Sequence, residues 1–194
     1  MKLLHSPTSP FARKVVACAI ACGIDGQLTL VPTASGSPEL AAQNPLGKLP
    51  CLITDDGVAL FDSRVICAFL DTVGDGFPMF PLHALRMRAL RLEALGDGIS
   101  DAAVLRRGEM ARARDPDRDG VIAAQGQKVA RSLDALEADP PLAHVDIGLI
   151  AVGCALGYLD LRYANEPWRK GRPKLAAWYA DMLGQPCLAL TIPA

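Results

Sequence analysis

The sequence predicts two structural units, a small α/β unit over residues 1–75 and an all-helical unit over residues 82–194. Up to about residue 75, short apolar runs alternate with segments of helical periodicity, whereas every periodic segment after residue 82 has helical spacing. Between them, residues 74–81 combine Gly and Pro with polar and aromatic residues, which is typical of a linker. Of the 194 residues, 51% are hydrophobic, which is enough for a substantial core.

The chain opens with a short strand and a capped helix. The apolar run at residues 2–5 precedes a polar turn that contains two prolines. Ser9 is a favoured N-cap, and Pro10 suits the first helical position because its fixed φ is already helical and it has no N–H to satisfy. We expect this helix to run to about Cys22 and to stop at Gly23.

Three further apolar runs and two further helix starts complete the first unit. They predict strands at 28–31, 51–53 and 58–60, a short helix from Ser37, and a helix from Asp62 or Ser63 to about Val73. The turn Asp55-Asp56-Gly57 joins the last two strands, and a tight turn makes its two strands antiparallel. The expected order is β-α-β-α-β-β-α.

The second unit begins with a long helix. Leu85, Leu92 and Ile99 recur at heptad spacing and predict its buried face. Gly96 and Gly98 lie inside this helix, where each costs about 1 kcal/mol relative to Ala, so a close helix contact or a ligand is expected there. Three further helices are predicted at about 119–138, 144–162 and 172–184.

Composition and charge argue against several classes of partner. The 20 Lys and Arg residues nearly balance the 21 Asp and Glu residues, so the chain lacks the basic surface that nucleic acids or anionic membranes attract. The apolar run from Val15 to Cys22 is too short for a membrane span and follows two prolines, so a helix of a folded domain fits it better than a secretory signal. We expect a cytoplasmic protein without nucleic-acid or membrane partners.

The cysteine pattern predicts buried structural thiols. The six cysteines are Cys18, Cys22, Cys51, Cys67, Cys154 and Cys187. No two form a C-x-x-C pair and no His stands at a metal-ligand spacing from them, so we expect no metal. Cys18 and Cys22 are four residues apart in an apolar run and should share one buried helix face. A disulfide or redox role is the less favoured alternative.

Two further patterns do not indicate a site. The segment from Asp115 to Gly120 begins like a calcium-binding loop, but its twelfth position is Gly126 instead of the required Glu. A helix-helix connection with an Asp cap is the better interpretation of that segment. The three histidines are scattered along the chain, and no Ser/His/Asp triad is indicated.

Three motifs together resemble the cytosolic glutathione S-transferase superfamily. They are Ser9-Pro10-Phe11 at a strand-to-helix junction, the loop 44–50 that leads into the hairpin, and Asp62-Ser63 at the following helix start. In this order they resemble the thioredoxin-like domain of a bacterial-type member with a Ser-Pro-Phe turn. The resemblance extends over nearly the whole chain. It implies a thioredoxin-like domain followed by an α-helical domain, glutathione as co-substrate, and a homodimer with the Leu85 helix at the interface.

The resemblance assigns the catalytic role to Ser9. Its hydroxyl would donate a hydrogen bond to the glutathione thiolate, and the positive end of the helix at Pro10 would add a favourable field. Each effect is worth about 0.5–2 kcal/mol, so together they would lower a thiol pKa of about 8.5 by one to two units. The alternative is that Ser9 is only an N-cap, a use of the hydroxyl that competes with thiolate donation.

The resemblance also assigns five glutathione-binding residues. Leu49 would pair its backbone with the cysteinyl part, Pro50 would be the cis proline that follows it, and Lys48 would reach the glycyl carboxylate. Asp62 and Ser63 would hold the γ-glutamyl end, because a helix N-terminus and a hydroxyl suit its carboxylate and an Asp suits its ammonium. The alternatives are that Pro50 only opens a strand, that Lys48 is a solvated loop residue, and that Asp62 and Ser63 only cap their helix.

Departures from the family narrow the expected chemistry. Redox relatives carry Cys where this chain has Ser9, so dithiol exchange is excluded at this position. The Ser/Thr-x-x-Asp capping box of the family retains Asp146 but has Ala143 at the cap position. Phe11 or residues of the long helix near Gly98 are expected to line the pocket for a hydrophobic electrophile. The function implied is glutathione transfer to an electrophile; the alternatives are a non-catalytic binding protein and a glutathione-dependent peroxidase or isomerase.

Overall fold

A four-stranded mixed sheet forms the first part of the chain. The structure is a computed structural model that describes residues 1–113, 115–141 and 145–193. The strands are β1 (Lys2–His5), β2 (Thr29–Pro32), β3 (Cys51–Ile53) and β4 (Ala59–Leu60), in the order β2-β1-β3-β4. β1 is parallel to β2 and antiparallel to β3, and β3 is antiparallel to β4, as the tight turn between them predicts.

Helices cover the sheet and form most of the second part of the described chain. The helices are α1 (Pro10–Ala21), α2 (Pro38–Gln43), α3 (Ser63–Val73), α4 (His83–Met110), α5 (Pro116–Ala138), α6 (Ile147–Arg162), α7 (Pro173–Met182) and α8 (Pro186–Ala189), with a 3-10 turn at Asp25–Gln27. The order β-α-β-α-β-β-α is confirmed. A thioredoxin-like unit is followed by a helical one, which is the fold class that the sequence predicts.

The hydrophobic core is continuous between the two units. Leu3 of β1, Val15 of α1, Leu92 of α4 and Leu156 of α6 belong to one buried cluster. α1 contacts α3 in its own unit and also α4, α6 and α8. Leu4, the neighbour of Leu3 in β1, points to the opposite face of the sheet and joins a small separate cluster with Leu40 and Cys51, as strand alternation requires.

The contact between α4 and α6 explains one of the two glycines in α4. A Cβ added at Gly96 would lie 2.5 Å from the Ala151 carbonyl carbon in α6, which is too close for any side chain. A Cβ at Gly148 would likewise lie 2.5 Å from the Ala89 carbonyl oxygen. The expectation of a close helix contact is therefore confirmed at Gly96. Gly98 has open space around it, so it makes no such contact.

The observed helix starts follow their caps. α5 begins earlier than predicted because Asp115 accepts a 2.9 Å hydrogen bond from the Arg118 amide, which confirms the Asp cap at this segment. α6 begins later than predicted because Asp146 is its N-cap and accepts a 2.9 Å bond from the Leu149 amide. Ala143, the predicted departure from the capping box, lies outside the described residues.

The predicted buried face of α4 is wrong at its first position. Leu92 and Ile99 are buried, whereas Leu85 is 54% exposed. Leu85 lies in the first turn of α4, where the chain has just left the linker and no described helix covers that face. The heptad pattern alone cannot distinguish a side chain that packs inside its own chain from one left at the surface.

The cysteines are free and buried, as predicted. The Sγ atoms of Cys18 and Cys22 are 4.0 Å apart on one face of α1. Among the described residues, no group of three or more His, Cys, Asp or Glu side chains is arranged to hold a metal ion. No described helix has both the length and the apolar character needed to cross a membrane.

Candidate functional site

Two adjoining cavities lie along the cleft between the sheet and the helical unit. The first, of about 310 Å³, is lined by Pro50, Asp62 and Ser63 from the first unit and by Asp97 from α4. The second, of about 460 Å³, is lined by Ser9. Four residues line both cavities and mark their junction: Phe11, Lys48, Leu49 and Asp101. The cleft therefore brings together all six residues that the sequence predicts for the site.

The Ser9 hydroxyl caps α1 and keeps its proton available. Ser9 Oγ accepts a 3.2 Å hydrogen bond from the Ala12 amide, and its backbone is extended, as an N-cap requires. A hydroxyl has two lone pairs and one O–H, so accepting from Ala12 leaves the O–H free to donate. The expected competition between capping and thiolate donation is therefore wrong, because the two roles use different parts of the hydroxyl.

A buried asparagine holds the loop that carries Lys48, Leu49 and Pro50. Asn44 donates from Nδ2 to the Lys48 carbonyl at 2.8 Å, while its Oδ1 accepts from the Leu46 amide at 3.0 Å. With these bonds, Asn44 fixes the backbone of the loop just before Leu49. The Leu49–Pro50 peptide bond is cis, as the resemblance implies.

The N-terminus of α3 forms one end of the first cavity. Asp62 is the N-cap, and its Oδ1 accepts a 3.0 Å hydrogen bond from the Arg64 amide. Ser63 lines the same cavity although its residue surface is only 3% exposed. The free amides and positive end of a helix N-terminus favour an anionic group. This end of the cavity is therefore suited to a carboxylate.

Four charged side chains meet behind this cavity. Lys14 Nζ of α1 lies 3.1 Å from Glu93 Oε1 and 2.9 Å from each carboxylate oxygen of Asp97. Arg64 Nε donates to Asp97 Oδ2 at 2.7 Å. Burial by itself favours the neutral amine of Lys14, but the attraction of Asp97 and Glu93 outweighs it and raises the pKa of Lys14. The four side chains therefore form a balanced set of two cations and two anions.

Asp101 brings a carboxylate to the junction of the two cavities. It lies one helical turn after Asp97 in α4. Burial and then the neighbouring Asp97 charge raise the pKa of the Asp101 carboxyl, while Lys48 and Arg64 act in the opposite direction. The carboxyl of Asp101 therefore takes up a proton more readily than an ordinary aspartate, because its pKa is raised.

The second cavity becomes apolar on the side of the helical unit. Val104 and Leu105 of α4 and Tyr158 of α6 line this side, and Ser9 and Phe11 line the same cavity. The expectation that Phe11 borders this pocket agrees with its position, but Gly98 itself does not line either cavity. Tyr158 is buried, and its ring also forms part of the cavity wall.

Sequence reasoning missed several residues of the cleft. Asn44 is the first residue of the loop 44–50, where no local pattern distinguishes it, and Arg64 directly follows the Asp-Ser pair. Glu93, Asp97 and Asp101 recur every four residues on a helix face that is otherwise packed, a pattern visible in the sequence. Glu93 and Asp97 of this series are buried, and acids placed on a buried helix face indicate a charged partner. Nothing in the sequence shows that Lys14 of α1 is that partner.

Family models match both parts of the chain. The model described as "Glutathione S-transferase, N-terminal domain" matches residues 8–73, and that described as "Glutathione S-transferase, C-terminal domain" matches residues 119–181. A curated relative, the "uncharacterized GST-like protein YibF" of Escherichia coli (strain K12), is 34% identical over 201 residues. That alignment covers 100% of this chain and 98% of the relative.

Similar solved structures hold glutathione or a derivative of it. A glutathione transferase family member from Pseudomonas fluorescens Pf-5 with bound glutathione is 40% identical, has a TM-score of 0.92, and is matched over 100% of this chain and 98% of that one. A second structure from that source, 40% identical with a TM-score of 0.89 and full coverage of both chains, carries S-(propanoic acid)-glutathione. A glutathione S-transferase from Methylobacillus flagellatus KT with bound glutathione is 38% identical, with a TM-score of 0.90 and coverage of 100% and 99%.

Proposed function

Since the chain belongs to the glutathione S-transferase family, we propose that it joins the thiolate of glutathione to electrophilic small molecules. The observation that carries this proposal is the position of Ser9. Ser9 caps α1, lines the second cavity and keeps its O–H free to donate. The second cavity adjoins the first, which is suited to the peptide. Homologous structures at 38–40% identity contain glutathione, which supports it as the co-substrate.

In this proposal the first cavity binds the tripeptide. The γ-glutamyl carboxylate meets Ser63 and the α3 N-terminus, and Asp62 attracts the ammonium. The backbone of Leu49 pairs with the cysteinyl residue, which brings the sulfur to the junction of the cavities. Lys48, which lines both cavities, attracts the glycyl carboxylate. Pro50 gives Leu49 the backbone direction that this pairing needs.

Ser9 and α1 then favour the thiolate over the thiol. The Ser9 O–H donates to the sulfur, and the positive end of α1 lies beside it. The thiol proton passes to solvent, and the thiolate then forms the new carbon–sulfur bond. In a substitution a leaving group departs from the carbon that is attacked. In an addition to an activated double bond, the other carbon of that bond takes up a proton. The two effects together lower the thiol pKa by about one to two units.

The second cavity takes the electrophile. Its apolar wall of Val104, Leu105 and Tyr158 suits an apolar body, and Ser9 lines the same cavity. The Pseudomonas fluorescens relative with S-(propanoic acid)-glutathione carries a small substituent on sulfur. A volume of about 460 Å³ leaves room here for a substituent larger than that one.

The test is the pKa of the glutathione thiol in the complex, read from thiolate ultraviolet absorbance against pH. With the wild-type protein we expect a pKa about one to two units below that of free glutathione. In Ser9→Ala much of this shift should disappear, and kcat/KM with a responsive electrophile should fall about 10–100-fold, the worth of one hydrogen bond to a charged group.

Ser6→Ala is the matched control, because Ser6 also lines the second cavity but does not cap α1. It should leave the thiol pKa unchanged. If glutathione binds to the wild-type protein without any shift, the chain is a glutathione-binding protein and not a transferase. If Ser9→Ala retains full turnover, the role given to Ser9 is wrong.

A cytoplasmic location belongs to the same proposal. Free cysteines persist in reducing compartments, and all six cysteines of this chain are free and buried. Fractionation of the native cell would test it, with the protein expected in the same fraction as a cytoplasmic marker enzyme.

A further inference from the structure

We propose that Lys14 is a positioning residue of the glutathione site. Its buried ammonium holds Asp97, and through Asp97 it holds Arg64 beside the α3 N-terminus that receives the γ-glutamyl end. Lys14 itself lines neither cavity, so it acts through its neighbours and not by touching the peptide. The inference rests on the proposed function, because it assumes that glutathione occupies the first cavity.

The contacts of Lys14 leave its side chain a single arrangement. The side chain is 1% exposed, and those of its two acidic partners, Glu93 and Asp97, are 4% and 8% exposed. Lys14 Nζ reaches both oxygens of Asp97 at 2.9 Å and Glu93 Oε1 at 3.1 Å, which accounts for the three donors of an ammonium group. Both carboxylate oxygens of Asp97 therefore accept from Lys14, which keeps the carboxylate turned toward Arg64.

The three helices that build the site meet at Asp97. α1 carries Ser9 and, five residues on, Lys14. α3 carries Ser63 and then Arg64, and α4 carries Asp97. The bonds from Lys14 and Arg64 to the one carboxylate therefore tie the thiol-binding helix to the γ-glutamyl-binding helix. Only Arg64 and Asp97 of the four charged residues also line the first cavity.

Folding alone gives no reason to keep these charges. A buried ion pair repays the desolvation of its members only in part, and well-packed apolar side chains of similar size are often as stable or more so. Methionine is unbranched like lysine and close to it in length, so it can occupy the buried position of Lys14 on α1 without the charge. The ammonium fixes the orientation of the Asp97 carboxylate, which a methionine cannot do because it has no donor.

Loss of Lys14 should therefore lower the affinity for glutathione. Without the ammonium, both oxygens of Asp97 lose the donor that fixes them, and among the described residues Arg64 is the cation still bonded to this carboxylate. The carboxylate then turns toward solvent or takes up a proton, and Arg64 loses its fixed position at the cavity wall. The sulfur end of the site, formed by Ser9 and the start of α1, does not depend on this contact.

The test compares Glu93→Gln with Lys14→Met/Glu93→Gln. The double variant removes one cation and one anion together, so the buried set stays neutral and the fold is kept; thermal unfolding checks this. Isothermal titration with glutathione should give a Kd about tenfold higher than wild type for the double variant. The single variant keeps the Lys14–Asp97 contact and should stay within twofold. At saturating glutathione, kcat should change less than twofold in both.

Each other result overturns the inference in a recognisable way. A wild-type Kd in a folded double variant means that Lys14 is only structural. An equal loss in Glu93→Gln means that the effect belongs to Glu93. A fall in kcat with unchanged Kd means that Lys14 acts on the chemical step. If the wild-type protein itself does not bind glutathione, the proposed function fails and the inference fails with it.

Discussion

Ser9 shows how one side chain serves both the fold and the proposed chemistry. Its oxygen accepts from the Ala12 amide and so stabilises the start of α1, and the same capped helix end supplies the field that favours a thiolate. The two uses draw on different atoms of one hydroxyl. A substitution at Ser9 therefore affects stability as well as turnover, and stability must be measured before a loss of activity is attributed to catalysis.

Asp101 gives a prediction of the pH dependence of stability at the same scale. Burial and then Asp97 raise the pKa of its carboxyl in the folded state. The folded protein therefore holds this proton more tightly than the unfolded chain, and stability falls as the pH rises from the unfolded pKa, about 3.9, through the raised folded value. Asp101→Asn removes this loss, because the amide does not ionise.

We expect Asp101→Asn to melt at a higher temperature than wild type at pH 7 and at the same temperature below about pH 4. The difference should be small, since Asp101 is exposed and solvent screens its charge. Thermal unfolding of both proteins across this pH range would check it. A variant that is less stable than wild type at pH 7 would contradict the raised pKa.

At the scale of elements, the α4–α6 contact is the most demanding feature of the helical unit. Two glycines, Gly96 and Gly148, let the helices approach at backbone distance, one on each helix. Gly96 and Gly98 look alike in the sequence and carry the same helix penalty, yet only Gly96 meets the backbone of another helix. The difference depends on which side of α4 faces α6, so no local pattern reveals it.

The two glycines make a matched pair for mutation. Gly96→Ala should destabilise the protein by about 1–3 kcal/mol, because the methyl group overlaps the α6 backbone and the gain in helix propensity cannot compensate for it. Gly98→Ala meets nothing within 4 Å and should stabilise by up to about 1 kcal/mol. Urea unfolding measures both values, and effects of equal sign would argue against the contact.

Local signals account for the parts of the structure that were predicted well. Ser9, Asp62 and Asp115 are caps that act within three residues, and the turn at 55–57 fixes the pairing of its own two strands. These features depend on neighbours in the chain, so the sequence displays them directly. The β-α-β-α-β-β-α order and the six cleft residues could be predicted for the same reason, the latter with the help of a family resemblance.

Long-range pairing explains what could not be predicted. Lys14 is 79 residues from Glu93 and 83 from Asp97, and the ion pairs exist only because α1 packs against α4. The exposure of Leu85 depends equally on which surfaces lie opposite α4. Periodicity reports that a helix has an apolar or acidic face, but the partner of that face is decided by the packing of the whole chain.

For the whole molecule, the start of α4 leaves an apolar surface uncovered. Leu82 and Leu85, three residues apart at the helix start, are 71% and 54% exposed. Large apolar side chains grouped at the surface commonly mark a protein–protein interface. This surface lies on the helix that the family resemblance assigns to the homodimer interface, so the dimer stays a prediction with a defined location.

We expect Leu85→Arg to convert a dimer into a monomer, because a guanidinium would have to be buried without a partner at the interface. Sedimentation equilibrium measures the mass of both proteins. Leu190→Arg, at an exposed apolar residue at the end of α8, is the control and should not change the mass. A wild-type protein that sediments as a monomer at micromolar concentration would refute the predicted dimer.

The two cavities differ in how deeply their lining side chains are buried. This difference determines how well each cavity tolerates substitutions. The wall of the first cavity includes Asn44, Ser63 and Asp97, which are buried and bound into the loop, the helix start and the ion-pair cluster. Val104 and Leu105, on the wall of the second, are 40% and 46% exposed. Replacing exposed side chains usually alters stability little. The peptide side of the cleft therefore tolerates few substitutions, whereas the electrophile side tolerates more. Substitutions there can change substrate preference without disturbing the part that is proposed to hold glutathione.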